Sequence, residues 1–146
     1  MSSSLRTFIV IPLVVLAWEL LLNHGAPRFQ PWFLSLMAWG YLQYKLVGRY
    51  RIRLGKGGPG MKTMPERLVT GGPYAYTRNP MYLGHLIFLA GLALTLRSEL
   101  GALIFVVNVV FFQLRVTRDE KRLREFFGES YAQYCGRVKR WIPGLL

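Results

Sequence analysis

Four blocks of the chain, residues 7–22, 31–47, 81–96 and 100–116, are apolar around their whole circumference, which leaves them few places to fold. Leu86 to Leu94 reads Leu-Ile-Phe-Leu-Ala-Gly-Leu-Ala-Leu, with no polar stripe of the kind a surface helix turns toward water. Each block makes four or five helical turns, roughly 24 to 26 Å at ~1.5 Å per residue, a little short of the ~30 Å hydrocarbon core of a bilayer. The expectation is an all-α, polytopic membrane protein with about four transmembrane helices, whose ends snorkel or thin the bilayer locally.

The cations stand apart from these blocks, although 52% hydrophobic residues and a net charge of +12 coexist in 146 residues. Lys and Arg scattered over a soluble surface would point to nucleic acid; segregated as they are, they mark membrane boundaries, and no nucleic-acid partner is expected. The length fits one domain, residues 1–146. Cys135 is the sole cysteine, so neither an intrachain disulfide nor a Cys-cluster metal site can form. No pair of His or Cys residues has metal-ligand spacing, and no metal is expected. Arg6 ahead of an apolar run resembles a signal peptide, yet Asn23-His24-Gly25-Ala26-Pro27 offers no small-x-small cleavage site, so the first block is read as a mature helix.

Charge also sets orientation. One cation precedes the first block, eight run from Lys45 to Arg78 and eight from Arg115 to Arg140, seventeen of the nineteen. With four spans all three segments fall on one side, which the positive-inside rule makes cytoplasmic; an odd number would split them. Both termini are therefore expected in the cytoplasm; the membrane itself is expected to be a bacterial-type inner membrane. Only Arg97, Ser98 and Glu99 separate the last two blocks, which must form a tight antiparallel hairpin. That hairpin brings the segment before Met81 beside the segment after Val116.

Those two segments hold the residues with chemical potential. Leu68 to Gly84 packs turn formers, three tyrosines and Arg78 against the start of a span, with Pro80 suited to a first helical turn. Arg78 and Asn79 at that helix N-terminus either receive a carboxylate or anchor the helix among headgroups. Asp119-Glu120 either binds a cationic ligand or pairs with Arg115, Arg118 and Arg122 along its own helix. Leu123, Phe126, Phe127, Tyr131 and Tyr134 recur three to four apart, which predicts an amphipathic helix over about 117–135 lying on the membrane. The Gly55-Lys56-Gly57-Gly58-Pro59-Gly60 run lacks the Lys-Ser/Thr spacing of a phosphate loop and reads as a flexible loop. Glu19, His85, Asn108 and Gln113 are polar groups inside spans, either bonding between helices or lining a site.

Gly72-Pro73-Tyr74, Arg78-Asn79-Pro80-Met81-Tyr82-Leu83-Gly84, the hairpin, Asp119-Glu120, Phe127-Gly128, Tyr131, Tyr134 and Val138-Lys139-Arg140-Trp141-Ile142-Pro143 together resemble the isoprenylcysteine carboxyl methyltransferase and phospholipid methyltransferase superfamily. The resemblance runs from about Leu68 to Pro143. It implies an integral membrane methyltransferase whose S-adenosylmethionine site, releasing S-adenosylhomocysteine, is formed by the cytoplasmic loop and the C-terminal amphipathic helix. Carried over, cofactor contacts fall on Leu68, Val69, Gly72, Pro73, Tyr74, Asn79, Pro80, Tyr82, Asp119 and Glu120, with Arg115 and Arg78 in catalytic roles, Arg115 meeting substrate. Asn79 stands where the family often has His, and Asp119 where it often has Glu. The implied partners are the bilayer and a lipid or lipidated acceptor, an isoprenylcysteine carboxylate or a phospholipid amine; oligomeric state stays open. Two rival readings remain at this point: a nicotinamide-dependent membrane reductase, since sterol reductases share an Arg-x-Pro-x-Tyr-x-Gly stretch, and a non-catalytic basic protein that binds anionic lipid.

Overall fold

A computed structural model of the chain describes residues 2–57 and 64–142, and all regular structure among them is helical. The helices are α1 (Ser3–Leu22), α2 (Leu34–Gly55), α3 (Pro80–Leu96), α4 (Glu99–Phe127) and α5 (Glu129–Arg137). Single 3-10 turns at Pro31–Phe33 and Gly72–Ala75 precede α2 and α3. Ser2 caps α1 by accepting a bond from the Leu5 amide at 3.2 Å. Arg6–Val10 of α1 winds as a π-helix just before Pro12. A proline cannot donate to the turn behind it and crowds that turn's carbonyl, and a widened turn accommodates both faults.

Two compact units divide the chain. The first holds Met1–Leu42 and Gly84–Phe111. Its core is Ile11, Val15, Phe88, Leu89, Leu92 and Leu96, with Phe8, Met37, Ile104 and Phe105 packed around them. Here α2 and α3 pass backbone to backbone at glycines: a Cβ on Gly40 would lie 2.5 Å from the Phe88 nitrogen, and one on Gly91 2.8 Å from that of Met37. Such crossings replace hydrophobic driving force with close van der Waals contact. Arg97, in the left-handed region at φ 47°, turns the chain between α3 and α4. The buried carboxylate of Glu19 ties α1 to this turn, accepting from Ser98 Oγ at 2.6 Å and from Asn23 Nδ2 at 3.1 Å. Arg6 donates to Asn108 Oδ1 at 3.0 Å and lies over the Phe111 ring at 4.2 Å, while His85 stacks on Phe8 at 4.8 Å. Helix-to-helix bonding thus accounts for Glu19 and Asn108.

The second unit holds Gln43–Leu83 and Phe112–Leu146. Val47, Tyr74, Tyr131, Tyr134 and Val138 form its core, packed about by Tyr50, Leu68, Val69, Met81, Leu123, Phe127 and Cys135.

Ser3–Leu22 and Glu99–Phe127 are long and apolar enough to cross a membrane, yet only 22% of each apolar window is covered by protein. Leu21, Leu103, Val106 and Leu114 are each more than half exposed. Apolar area on that scale favours an apolar solvent. α3 is apolar but shorter, with 17 residues, and α2 carries Lys45, Arg49, Arg51 and Arg53 in its second half.

Two boundaries differ from the sequence reading. The second apolar block ends at residue 47, but α2 runs on to Gly55. No glycine or proline interrupts those turns after Gly48, and cations at a helix C-terminus complement its dipole. The amphipathic helix expected over 117–135 is two pieces: α4 continues to Phe127, and Gly128 (φ 55°, ψ −127°) breaks it before α5. That backbone suits glycine, the residue with no Cβ to clash. The apolar face assigned to the membrane is also differently placed, since Tyr131 and Tyr134 are buried in the second unit's core while Phe126 is exposed. Gly58, Pro59, Gly60, Lys62 and Pro143, which entered the loop, charge and motif readings, lie outside the described residues.

Candidate functional site

The second unit's polar groups converge where three segments meet: residues 64–82, the last turns of α4, and the stretch after α5. Within the first of these, Gly72 opens the 3-10 turn in the left-handed region (φ 58°), and a Cβ there would press to 2.7 Å against the Tyr50 ring. The turn buries Tyr74, whose carbonyl accepts from Tyr134 Oη at 2.7 Å. The chain then extends through Thr77, Arg78 and Asn79 until Pro80 opens α3, where its missing N–H costs nothing.

Each acid of the adjacent pair is engaged differently. Tyr82 Oη donates to Asp119 Oδ2 at 2.6 Å and accepts from Arg115 Nε at 3.0 Å; the Arg115 and Asp119 charges themselves are 3.9 Å apart. Glu120 takes no partner from its own helix among these bonds. It accepts instead from Arg78 Nε at 3.1 Å and from Arg140, whose Nη2 reaches Oε2 at 2.7 Å. Arg78 also donates through Nη1 to the carbonyls of Cys135 and Val138, both at 3.1 Å. Trp141 Nε1 donates to Gln113 Oε1 at 2.7 Å, so Gln113 too bonds to another segment.

Burial dominates the phenols here. It raises Tyr74 to about 12, with Arg51 pulling weakly the other way, and it raises Tyr131 and Tyr134 as well. These tyrosines are neutral aromatic surfaces at physiological pH, not bases. The hydrogen bond to Glu120 raises Arg140 further above its already high range.

These groups border a cavity that opens to solvent. Of the residues expected from the sequence, Leu68, Val69 and Tyr74 line it from the first segment, and Arg78, Asn79 and Tyr82 from the start of α3. Asp119 and Glu120 face it from α4. Gly72, Pro73, Pro80 and Arg115 are not among the lining residues: the first three shape the turn and the helix start, and Arg115 reaches the site through the Tyr82 hydroxyl. His85 belongs to the first unit.

Arg51, Met81, Leu123, Tyr131 and Tyr134 also line the cavity and were not assigned to it. Arg51 was hidden by ending α2 too early, since Val47, Tyr50 and Arg51 share one helical face only if the helix continues. Gly128 was the available signal for the tyrosines, because a break there re-aims the face that carries them.

The sequence profile of the family described as phospholipid methyltransferase matches residues 34–130. The chain belongs to that family. Residues 131–142, which complete the site, lie beyond the matched stretch. Among curated relatives, the family's resemblance extends to the protein-S-isoprenylcysteine O-methyltransferase of Schizosaccharomyces pombe, 43% identical over 77 residues, covering 52% of this chain and 33% of that protein. The protein-S-isoprenylcysteine O-methyltransferase B of Arabidopsis thaliana is 38% identical over 79 residues, covering 53% and 40% respectively. Each match thus spans between a third and two fifths of the relative's length. The fold is shared with the eukaryotic intramembrane Ras methyltransferase ICMT at a TM-score of 0.67 and 22% identity, over 99% of this chain and 55% of that one.

Proposed function

We propose that this chain is a single-domain integral membrane methyltransferase, residues 1–146, that methylates a lipophilic acceptor, the relatives' names favouring an isoprenylcysteine carboxylate. The observation that carries the reading is the pairing of Tyr82 with Asp119 and of Arg78 with Glu120 around one cavity. S-adenosylmethionine supplies an activated methyl group together with a sulfonium, an ammonium and a carboxylate. The residues fit such a ligand. Asp119 and Glu120 provide negative charge, Asn79 and Arg78 provide N–H donors, and Tyr74, Tyr82, Tyr131 and Tyr134 offer aromatic faces of the kind that attract cations.

Methyl transfer is an in-line displacement that needs alignment and exclusion of water more than acid–base help. The neutral phenols agree with that: they bind and orient without taking a proton. Tyr82 is held at its hydroxyl from both sides, which fixes its ring. Arg115, one bond from that hydroxyl, is the cation placed to neutralise an acceptor carboxylate. Arg78 fixes Glu120 and the stretch after α5 at once.

In this reading α1 to α4 are the four spans. α4, with 29 residues, extends about 43 Å, more than the ~30 Å of hydrocarbon, so its last turns and the site stand at the membrane surface. The clustered cations favour the cytoplasmic side for that surface and for both termini, in a membrane read here as a bacterial-type inner membrane. Incubating the detergent-solubilised protein with methyl-labelled S-adenosylmethionine and either a farnesylated cysteine or phosphatidylethanolamine tests the reading. Label in a base-labile ester of the first is the expected result; label in neither removes the activity, and label only in the second replaces the acceptor.

A further inference from the structure

The stretch Val138 to Trp141 runs across the residues just before α3, and its bonds to them are dense. The Arg78 amide donates to the Lys139 carbonyl at 3.0 Å, and Thr77 Oγ1 donates to the Arg140 carbonyl at 2.9 Å. Asn79 Nδ2 donates to that same carbonyl at 3.2 Å. The backbone of this strap is thereby fixed independently of the Arg140 side chain, which is left to act on one target. Its Nε lies 3.3 and 3.2 Å from the two Glu120 oxygens, and its Nη2 lies 2.7 Å from Oε2. This is a forked contact of the kind only arginine makes with a carboxylate.

Arg140 is not among the residues lining the cavity, whereas Glu120 and Arg78 are. It grips from behind a carboxylate whose position the cavity depends on. A glutamate side chain is otherwise free to rotate about three bonds, and fixing it beforehand removes that ordering cost from ligand binding.

We infer that Arg140 is a positioning residue for the amino-acid end of the ligand: it locks Glu120 in one rotamer so that the carboxylate meets the ligand's ammonium without rearrangement. This rests on the reading of the cavity as an S-adenosylmethionine site. It makes the strap part of the binding machinery rather than a tail that merely covers it.

Two ligands separate the roles. S-adenosylhomocysteine carries the ammonium and carboxylate; 5′-methylthioadenosine keeps the nucleoside and the sulfur but lacks them. Calorimetric titration of the full chain in detergent is expected to show that Arg140→Gln weakens S-adenosylhomocysteine about tenfold while changing 5′-methylthioadenosine less than about twofold. Arg140→Lys, which restores the charge without the fork, is expected to recover part of the loss. Equal weakening of both ligands would mean that Arg140 only supports the fold, and no change in either would mean that Glu120 does not need it; each result overturns the inference. The 5′-methylthioadenosine titration also reports whether the variant is folded. Failure of the wild-type protein to bind either compound is a different outcome, because it removes the cofactor reading and this inference with it.

Discussion

Within each of its two units the chain is packed by different means. In the first, helices meet through apolar side chains and bare glycine backbone, with isolated hydrogen bonds such as Ser98 to Glu19. In the second, Arg78, Glu120, Arg140, Thr77 and Asn79 form one connected polar network beside a tyrosine-rich core. On the proposed membrane placement, lipid offers no hydrophobic gain for bringing the first unit's helices together, so shape must do it, whereas near water charged groups can build a site. The scaffold is therefore sensitive to volume and the site to charge and hydrogen bonding.

The largest expected effect breaks the scaffold. Gly40→Val places a Cβ 2.5 Å from the Phe88 nitrogen and 2.6 Å from the Gly84 carbonyl, neither of which can swing away. A loss of about 3 kcal/mol is expected, read as a lower melting temperature in detergent. An unchanged melting temperature would show that the crossing is not close-packed. Next comes the site: Glu120→Ala leaves Arg78 and Arg140 facing each other and is expected to weaken S-adenosylhomocysteine roughly 30-fold, about 2 kcal/mol, by calorimetry. Unaltered affinity would move the ligand elsewhere.

The tyrosine core adds a pH dependence. Tyr74 has a folded pKa of about 12 against 10 for the free side chain, so its contribution is intact below pH 10 and lost as pH rises through 12. Alkaline unfolding followed by circular dichroism should fall in that window, and Tyr74→Phe should move the midpoint upward; a midpoint unmoved by the substitution would assign the transition to other groups. The smallest effect expected is that of Tyr82→Phe, which removes the donor to Asp119 and should cost about 1 kcal/mol in ligand affinity, roughly fivefold.

The same contrast explains what could be read in advance. Hydropathy located α1, α3 and the hairpin through Arg97 to Glu99, because continuous apolarity is a local property. The partners of Asp119 and Glu120 are legible only in part: proximity to Tyr82 and Arg78 follows from the hairpin, but Arg140 does not, since its approach depends on the helix break at Gly128 and the extended Val138 after α5. Arg51 escapes for a related reason: the apolar block ends at residue 47, whereas helix propensity carries α2 on to Gly55. Backbone geometry set by distant segments is what a single sequence conveys least.

The central claim is that the second unit binds an adenosyl cofactor between Tyr82–Asp119 and Arg78–Glu120. Titrating the purified full chain in parallel with S-adenosylhomocysteine and NADPH tests it most directly. Saturable 1:1 binding of the first, and none of the second, is the predicted result; binding of NADPH, or of neither, would contradict it.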